Sequence, residues 1–451
     1  MVIAMNFKFP KDFLFGAACS ACQIESGCGE GGKGMDVGEY GYKIYTEKFQ
    51  GGDPKNSADF YHKYPEDIKK MKELGLRCFR FSISWSRIYP NGPDEVCQAG
   101  LDYYSDMIDK LKAEGIVVFF DLFHCDLPYW VMEMGGALDR RFIDWFTAYA
   151  KTCFEALGDR VDYWCTVNEP SINIMASYAY GSNAPFMHDM DLAIKASHNM
   201  LLAHYKTIRI YKSLGFKGKI GAVIHVEPVY AVSMDEKDEA AAERRLAFYS
   251  GMWTDPMYKG HYPKILMDYP YITDKLPLGF AKELEDNFIE NDYIGVNYYS
   301  PSFVKYVDNG ELDYEIVKND NLPMDDYGFM SYPQGLFDTV AYLHDTYPGK
   351  DILITENGIG IAKWGNYEEE LNDDYRIDCI REHLREVARA IRAGIPVIAY
   401  LHWSIMDTNE LYAGGYKFMF GLNQVNYETL ERTPRKSWYY YQQIIKQNRV
   451  H

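Results

Sequence analysis

No run of apolar residues in this 451-residue chain approaches 18, so nothing in it reads as a membrane-spanning helix. Positive charge is in deficit: 47 Lys and Arg stand against 65 Asp and Glu, a formal net charge of −18. A surface of that sign repels phosphate backbones and anionic lipid, which argues against nucleic-acid and membrane partners. The opening residues, Met1 to Pro10, hold no basic leader followed by an apolar stretch of seven or more, so they do not read as an export signal. Cysteines are few and odd in number, nine. In a long chain without such a leader they point to reduced thiols in a cytoplasm rather than to a disulfide framework. Cys19, Cys22 and Cys28 contain a C-x-x-C start, but no His or further Cys at ligand spacing completes a tetrahedral set nearby. Packing thiols, with no metal and no cofactor, are the reading. Neither a Pro/Ser linker nor a low-complexity tract divides the chain.

What is present is a core-forming composition, 47% hydrophobic and 25% charged, and a regular alternation. Eight short apolar runs rich in β-formers are separated by longer amphipathic stretches: 13–18, 78–83, 116–123, 161–167, 220–226, 293–298, 352–355 and 396–403. That is the pattern of strand-helix units around a parallel sheet. Between them, Pro65 to Leu74 opens with Pro and acids and places Ile68, Met71 and Leu74 on one face, and Tyr375 to Ala393 reads as a helix likewise. The expectation is an α/β fold, a (β/α)8 TIM barrel with extended loops at the carboxyl-terminal face, as one catalytic domain over 1–451. The segment 299–330, punctuated by Asp, Asn, Gly and Pro, is the longest of those loops.

Each run ends in polar or aromatic residues. Gln23 lies beyond the first, Arg80 and Trp85 around the second, and His124 after the third. Asn168 and Glu169 close the fourth, Asn297 and Tyr299 the sixth, Glu356 the seventh, and His402 and Trp403 the eighth, with Glu410 just beyond. A barrel would gather them at one mouth. Carboxylates, amides, His and flat aromatics together suit a sugar, whose hydroxyls take hydrogen bonds and whose ring face stacks on indole. Glu169 and Glu356 each close an apolar run before a chain-turning residue. Two facing carboxylates can make and break acetals if one is protonated and the other bare. The acid needs a raised pKa, to which a negative neighbour contributes; the nucleophile needs a cation and a hydroxyl donor beside it. Retention of configuration calls for the pair to lie roughly 5–5.5 Å apart.

Seven motifs in order carry a resemblance: Phe13-Leu-Phe-Gly-Ala-Ala with Gln23-Ile-Glu25, Arg80 to Trp85, His124-Cys-Asp-Leu-Pro128, Thr166-Val-Asn-Glu-Pro170, Gly295 to Tyr299, Ile354-Thr-Glu-Asn-Gly358 and Trp403-Ser-Ile-Met-Asp407. From Phe13 to about Trp438 the chain resembles glycoside hydrolase family 1, the β-glucosidase family. The resemblance implies Glu169 as general acid/base and Glu356 as nucleophile. It implies Asn168 on the sugar 2-hydroxyl, with Arg80 and Tyr299 keeping Glu356 ionised. Gln23, His124, Asn297 and Glu410 would bind glycone hydroxyls over the Trp403 platform; Trp403 and Trp85 both also read as core aromatics, and only Trp403 holds the matching platform position. The implied activity is a retaining β-glycosidase acting on small β-glycosides or oligosaccharides, β-glucosides first and β-galactosides or related glycones next. The alternatives on the same scaffold are a 6-phospho-β-glycosidase, a transglycosylase, or a sugar-binding barrel without turnover.

The chain departs from the family around the sugar. Cys125 and Leu411 stand where Trp is general, one extra residue lies between Glu410 and Gly415, and Cys19, Cys22 and Cys28 replace commoner Thr, Tyr and Trp. The branch that accepts 6-phosphorylated sugars has Ser in place of Glu410, and Lys and Tyr where this chain has Phe418 and Phe420; Lys417 is the one nearby cation.

Overall fold

The computed structural model describes residues 7–363 and 365–450; residues 1–6 of the opening segment considered above for a leader lie outside the described residues. Eight parallel strands close into a barrel in chain order: β1 (Leu14–Ala18), β2 (Cys78–Ser82), β3 (Val117–Asp121), β4 (Tyr163–Asn168), β5 (Lys219–His225), β6 (Tyr293–Asn297), β7 (Asp351–Asn357) and β8 (Val397–Trp403). Each arises from one of the eight apolar runs. The principal helices between and after them are α1 (Phe60–Leu74), α2 (Gln98–Ala113), α3 (Phe142–Leu157), α4 (Met190–Leu214), α5 (Glu236–Leu246), α6 (Gln334–Thr346), α7 (Asp374–Arg392) and α8 (Lys436–Gln447).

α1 begins five residues before the expected Pro65 start. Phe60, fully buried against Phe79 and Phe81 at ring distances of 6.1 and 5.0 Å, draws the first turns onto β2, and Pro65 is carried inside the helix. Packing of an aromatic anchor outweighs a local start signal.

Two apolar layers hold the barrel. The outer one lies between strands and helices, and the inner one fills the closed sheet with Cys78, Phe119, Cys165, Val223, Tyr293, Leu353, Ala399 and Leu401. Cys78 and Cys165 serve there as small apolar packers. On β1 a Cβ at Gly16 would sit 2.6 Å from the Cys78 carbonyl, so only glycine lets the two strands close at that level.

Above the inner layer the inward positions turn polar. Two residues beyond Cys78 and Phe119 come Arg80 and Asp121, as strict alternation requires. β4 and β7 break the alternation, with register irregularities between Cys165 and Asn168 and between Ile354 and Glu356. Such a slip re-aims a side chain, and it turns Asn168 and Glu356 inward while Val167 and Ile354 stay in the outer core. The long loops carry structure of their own: Ser302–Tyr306 and Tyr314–Ile316 form a small sheet with Val229–Ala231. Among the described residues no helix is long and apolar enough to cross a membrane.

Candidate active site

A cavity of about 380 Å³ opens at the carboxyl end of the barrel. Of the site residues expected from sequence, Gln23, His124, Glu169, Tyr299, Glu356, Trp403 and Glu410 line it. Arg80, Asn168 and Asn297 are fully buried and lie one layer below its wall. Trp85 and His402, which also end their runs, do not reach it. Trp85 stacks on Tyr149 at 5.0 Å in the outer core, and His402 is buried with its ring 6.3 Å from Tyr441 on α8.

Glu356 is clamped. Arg80 Nη1 donates to its Oε1 at 2.5 Å and the Tyr299 hydroxyl to its Oε2 at 2.8 Å. Burial pushes the Glu356 pKa up, Arg80 pulls it back, and the charge of Glu169 pushes it up again. A guanidinium has no acceptor, so the oxygen facing Arg80 has no place for a proton. Arg80 is itself held by Asp121, with Nε on Oδ1 at 3.0 Å and Nη2 on Oδ2 at 2.7 Å. Its Nη2 also donates to Asn168 Oδ1 at 2.6 Å. One buried cation thus serves two carboxylates and an amide.

The network continues to His124. Asn168 Nδ2 faces His124 Nε2 at 3.2 Å, and His124 Nδ1 faces Asp121 Oδ2 at 3.3 Å. An amide N–H can only donate, which fixes Nε2 as acceptor and leaves Nδ1–H to donate to the carboxylate. The His124 ring lies nearly parallel to Trp403, 5.6 Å away.

Glu169 is held differently. Its backbone has φ +45, a left-handed turn between β4 and the short helix Pro170–Ile174, and Asn173 Nδ2 donates to the carbonyls of Asn168 and Glu169 at 3.0 and 3.2 Å. Strain of that kind persists where the surroundings over-determine it. Asn297 Nδ2 donates to Glu169 Oε1 at 2.9 Å, and on the other side His225 Nδ1 lies 4.0 Å from the same oxygen. Asn297 also sits opposite Glu356 in the β6–β7 register, so one residue spans the two carboxylates.

At the far end Gln23 Nε2 donates to Glu410 Oε1 at 3.1 Å. Burial pushes the Glu410 pKa up to about 7; Thr408 opposes this through a hydrogen bond, while the charges of Glu356, Asp407 and Glu169 add to it.

Among the wall residues, His225, Tyr327 and Phe329 escaped sequence reasoning. His225 ends β5, whose run shows no motif; its signal was the inward alternation from Val223. Tyr327 and Phe329 come from the long loop after β6, Phe329 stacking on Tyr299 at 4.8 Å, and Phe420 completes an aromatic wall with Tyr327 at 5.2 Å. Cys22, Cys125 and Leu411 also line the cavity.

The chain matches the model of glycosyl hydrolase family 1 over residues 5–450. It belongs to that family. Among its relatives, a 1,4-beta-D-glucan glucohydrolase of Thermotoga neapolitana is 34% identical, covering 98% of this chain and 99% of the relative. A 6-phospho-beta-glucosidase of Bacillus subtilis is also 34% identical, covering 98% of each. The family 1 β-glucosidase of Thermotoga maritima in complex with isofagomine lactam superposes with a TM-score of 0.94 at 32% identity, covering 99% of this chain and all of that one. This family 1 chain is therefore a glycoside hydrolase built on a (β/α)8 barrel. Its departures at Cys125 and Leu411 fall on the cavity wall itself.

Proposed function

We propose that this family 1 enzyme hydrolyses terminal β-D-glycosides, β-glucosides first, by double displacement with retention. The observation that carries the reading is the unequal environment of the two cavity carboxylates. Glu356, between a guanidinium and a phenol, is the bare nucleophile; Glu169, with one amide donor and room at its other oxygen, is the acid/base. In the first step the Glu169 proton passes to the leaving oxygen while a Glu356 oxygen attacks the anomeric carbon from the opposite face, and the glycosidic C–O bond breaks. In the second, Glu169 takes a proton from water, and the resulting hydroxide oxygen displaces the Glu356 ester. Arg80 and Tyr299 keep Glu356 ionised and aimed. Trp403 is the platform under the pyranose, Gln23, His124 and Glu410 on the cavity wall are its hydroxyl partners, and Asn168 and Asn297 stand behind them, next to the 2-hydroxyl side, hydrogen-bonded to His124 and Glu169 in turn.

A neutral glycone is favoured over a phosphorylated one. Among the described residues no Lys or Arg lines the cavity, Glu410 supplies negative charge, Phe420 is apolar wall, and Lys417 points its ammonium over the Phe418 ring, 4.8 Å from its centre, outside. A phosphate there would meet repulsion without a partner. We further propose that the chain acts as one catalytic unit on small glycosides or oligosaccharides, without nucleic-acid or membrane partners. Its nine unpaired cysteines support a cytoplasmic setting. Proton NMR of the first-formed sugar tests the chemistry: the β anomer is expected from an aryl β-glycoside, and initial α anomer overturns the double displacement.

A further inference from the structure

Glu410 differs from Glu356 and Asp407 in having, among the described residues, no cation in contact. Glu356 has Arg80, and Asp407, beside Glu410 in sequence, has Arg435 Nη1 and Nη2 at 2.8 Å each. Glu410, buried among Glu356, Glu169 and Asp407, has neutral donors alone. The Thr408 hydroxyl donates to its Oε1 at 2.5 Å, and Gln23 Nε2 donates to the same oxygen at 3.1 Å. The Gln23 amide is turned the right way because the Ser20 hydroxyl donates to its Oε1 at 2.5 Å. Thr408 and Ser20 are both fully buried and lie outside the cavity lining.

These bonds give the two Glu410 oxygens different work. Oε1 is occupied by two donors and has no room for a proton, so a proton taken up by Glu410 sits on Oε2. Oε2 is the oxygen left for the sugar. Bare, it accepts from two hydroxyls; protonated, it loses one of those acceptor sites and presents a donor instead.

Resting on the glycosidase reading, we propose that Thr408 is a positioning residue. By holding Glu410 Oε1 it keeps Oε2 bare for the glycone hydroxyls, and so sets the acid-side limit of substrate capture. The groups facing Glu410 are Glu356 from β7, Glu169 from the turn after β4, Asp407 from its own loop, and the phenols of Tyr299, Tyr327 and Tyr427, which burial keeps neutral. With Glu410 poised near neutrality, the free enzyme loses capture as pH falls through that range. In the complex, sugar hydroxyls replace the missing donors. Glu410 therefore contributes to the acid limb of kcat/KM, beside Glu356, whose pKa burial also raises, and the limb of kcat lies lower.

The test compares pH profiles on an aryl β-glucoside for wild type, Thr408→Val, Thr408→Ser and Ser20→Ala. A ¹³C-carboxyl titration of Glu410, assigned through Glu410→Gln, accompanies it. In Thr408→Val the acid midpoint of kcat/KM is expected to rise by about one pH unit, tenfold in proton affinity, as for one lost hydrogen bond to an anion. KM should rise at neutral pH while kcat holds within about threefold. Thr408→Ser restores the wild-type midpoint. Ser20→Ala, which frees the Gln23 amide to turn, shifts it the same way by less, and carries the test should the valine variant not fold. An unmoved midpoint and an unmoved Glu410 resonance, or a serine variant that behaves as valine, overturns the proposal. The titration needs no turnover, so a wild type inert toward β-glycosides would sink the activity and leave the titration to decide Thr408.

Discussion

Glu356 and Glu169 are the same amino acid at the ends of strands in one barrel, yet the protein treats them oppositely. The Glu356 side chain is 4% exposed, with a donor on each oxygen and a buried guanidinium against it. The Glu169 side chain is 16% exposed, hangs from a left-handed turn, and has one amide donor on one oxygen. A nucleophile must be charged and immobile; an acid/base must give a proton away and take one back, which needs a free oxygen and access to water. The difference teaches that role is written in the surroundings of a carboxylate.

Removing each carboxylate should break the comparison asymmetrically. Glu356→Ala leaves no group to form the covalent intermediate, and kcat is expected to fall by at least about 10⁵-fold on every substrate, the scale at which other nucleophile deletions fall. Azide or formate should restore part of it, released as a glycosyl azide or formate detectable by NMR. Residual turnover above about 1% without added anion would remove Glu356 from the role. Glu169→Ala should lose about 10²- to 10⁴-fold on alkyl glycosides, which need their leaving oxygen protonated, and far less on dinitrophenyl glycosides, which do not. Equal losses across a leaving-group series would show Glu169 to be wall rather than acid.

The next contrast lies behind the two groups. Arg80→Met strands Asp121 and Glu356 as unpaired buried carboxylates, and unfolding stability at pH 7 is expected to fall by about 3–5 kcal/mol. Asn297→Ala, taking one neutral donor from Glu169, should lose only about 1–2 kcal/mol. Chemical denaturation of both variants checks the ordering; comparable losses would mean that Arg80 is no more than one donor among others.

The barrel was legible because period and composition repeat eight times, and the two cavity carboxylates because each Glu ends an apolar run inside an extended motif. Strict alternation would have aimed Val167 into the barrel and Glu356 out of it; the register slips that bring in Asn168 and Glu356 leave no mark in composition. His225 was invisible because a strand-end His without a motif reads like any other. Tyr327 and Phe329 were missed because a loop of ordinary turn residues does not say which aromatic folds back over the cavity. Trp85 and Trp403 show the limit from the other side. Both flank barrel strands, and only the fold separates a ring stacked on Tyr149 from one facing the cavity.

A last contrast distinguishes the supports of the two ends by pH. Behind Glu169, β4 is pinned by Thr166, whose hydroxyl donates to the Gly221 carbonyl at 3.2 Å and accepts from His204 Nδ1 at 2.6 Å, while Asn291 Nδ2 donates to His204 Nε2 at 3.3 Å. This is a neutral imidazole with both nitrogens engaged, and burial holds its pKa down at about 3. Behind Glu356 the support is Arg80, which does not titrate. Unfolded His204 has a pKa near 6.5, so as pH falls below that value the unfolded chain takes up a proton that the folded protein refuses. Its contribution is complete above about pH 6.5 and is lost progressively toward pH 3. Between pH 7 and pH 5 that amounts to about 2 kcal/mol. His204→Gln keeps a neutral donor and acceptor without the titration. It should therefore start less stable at pH 7 and lose about 2 kcal/mol less than wild type on acidification to pH 5, read by urea unfolding at both values. Parallel losses in the two proteins would show that the β4 side is no more acid-sensitive than the arginine-braced β7 side.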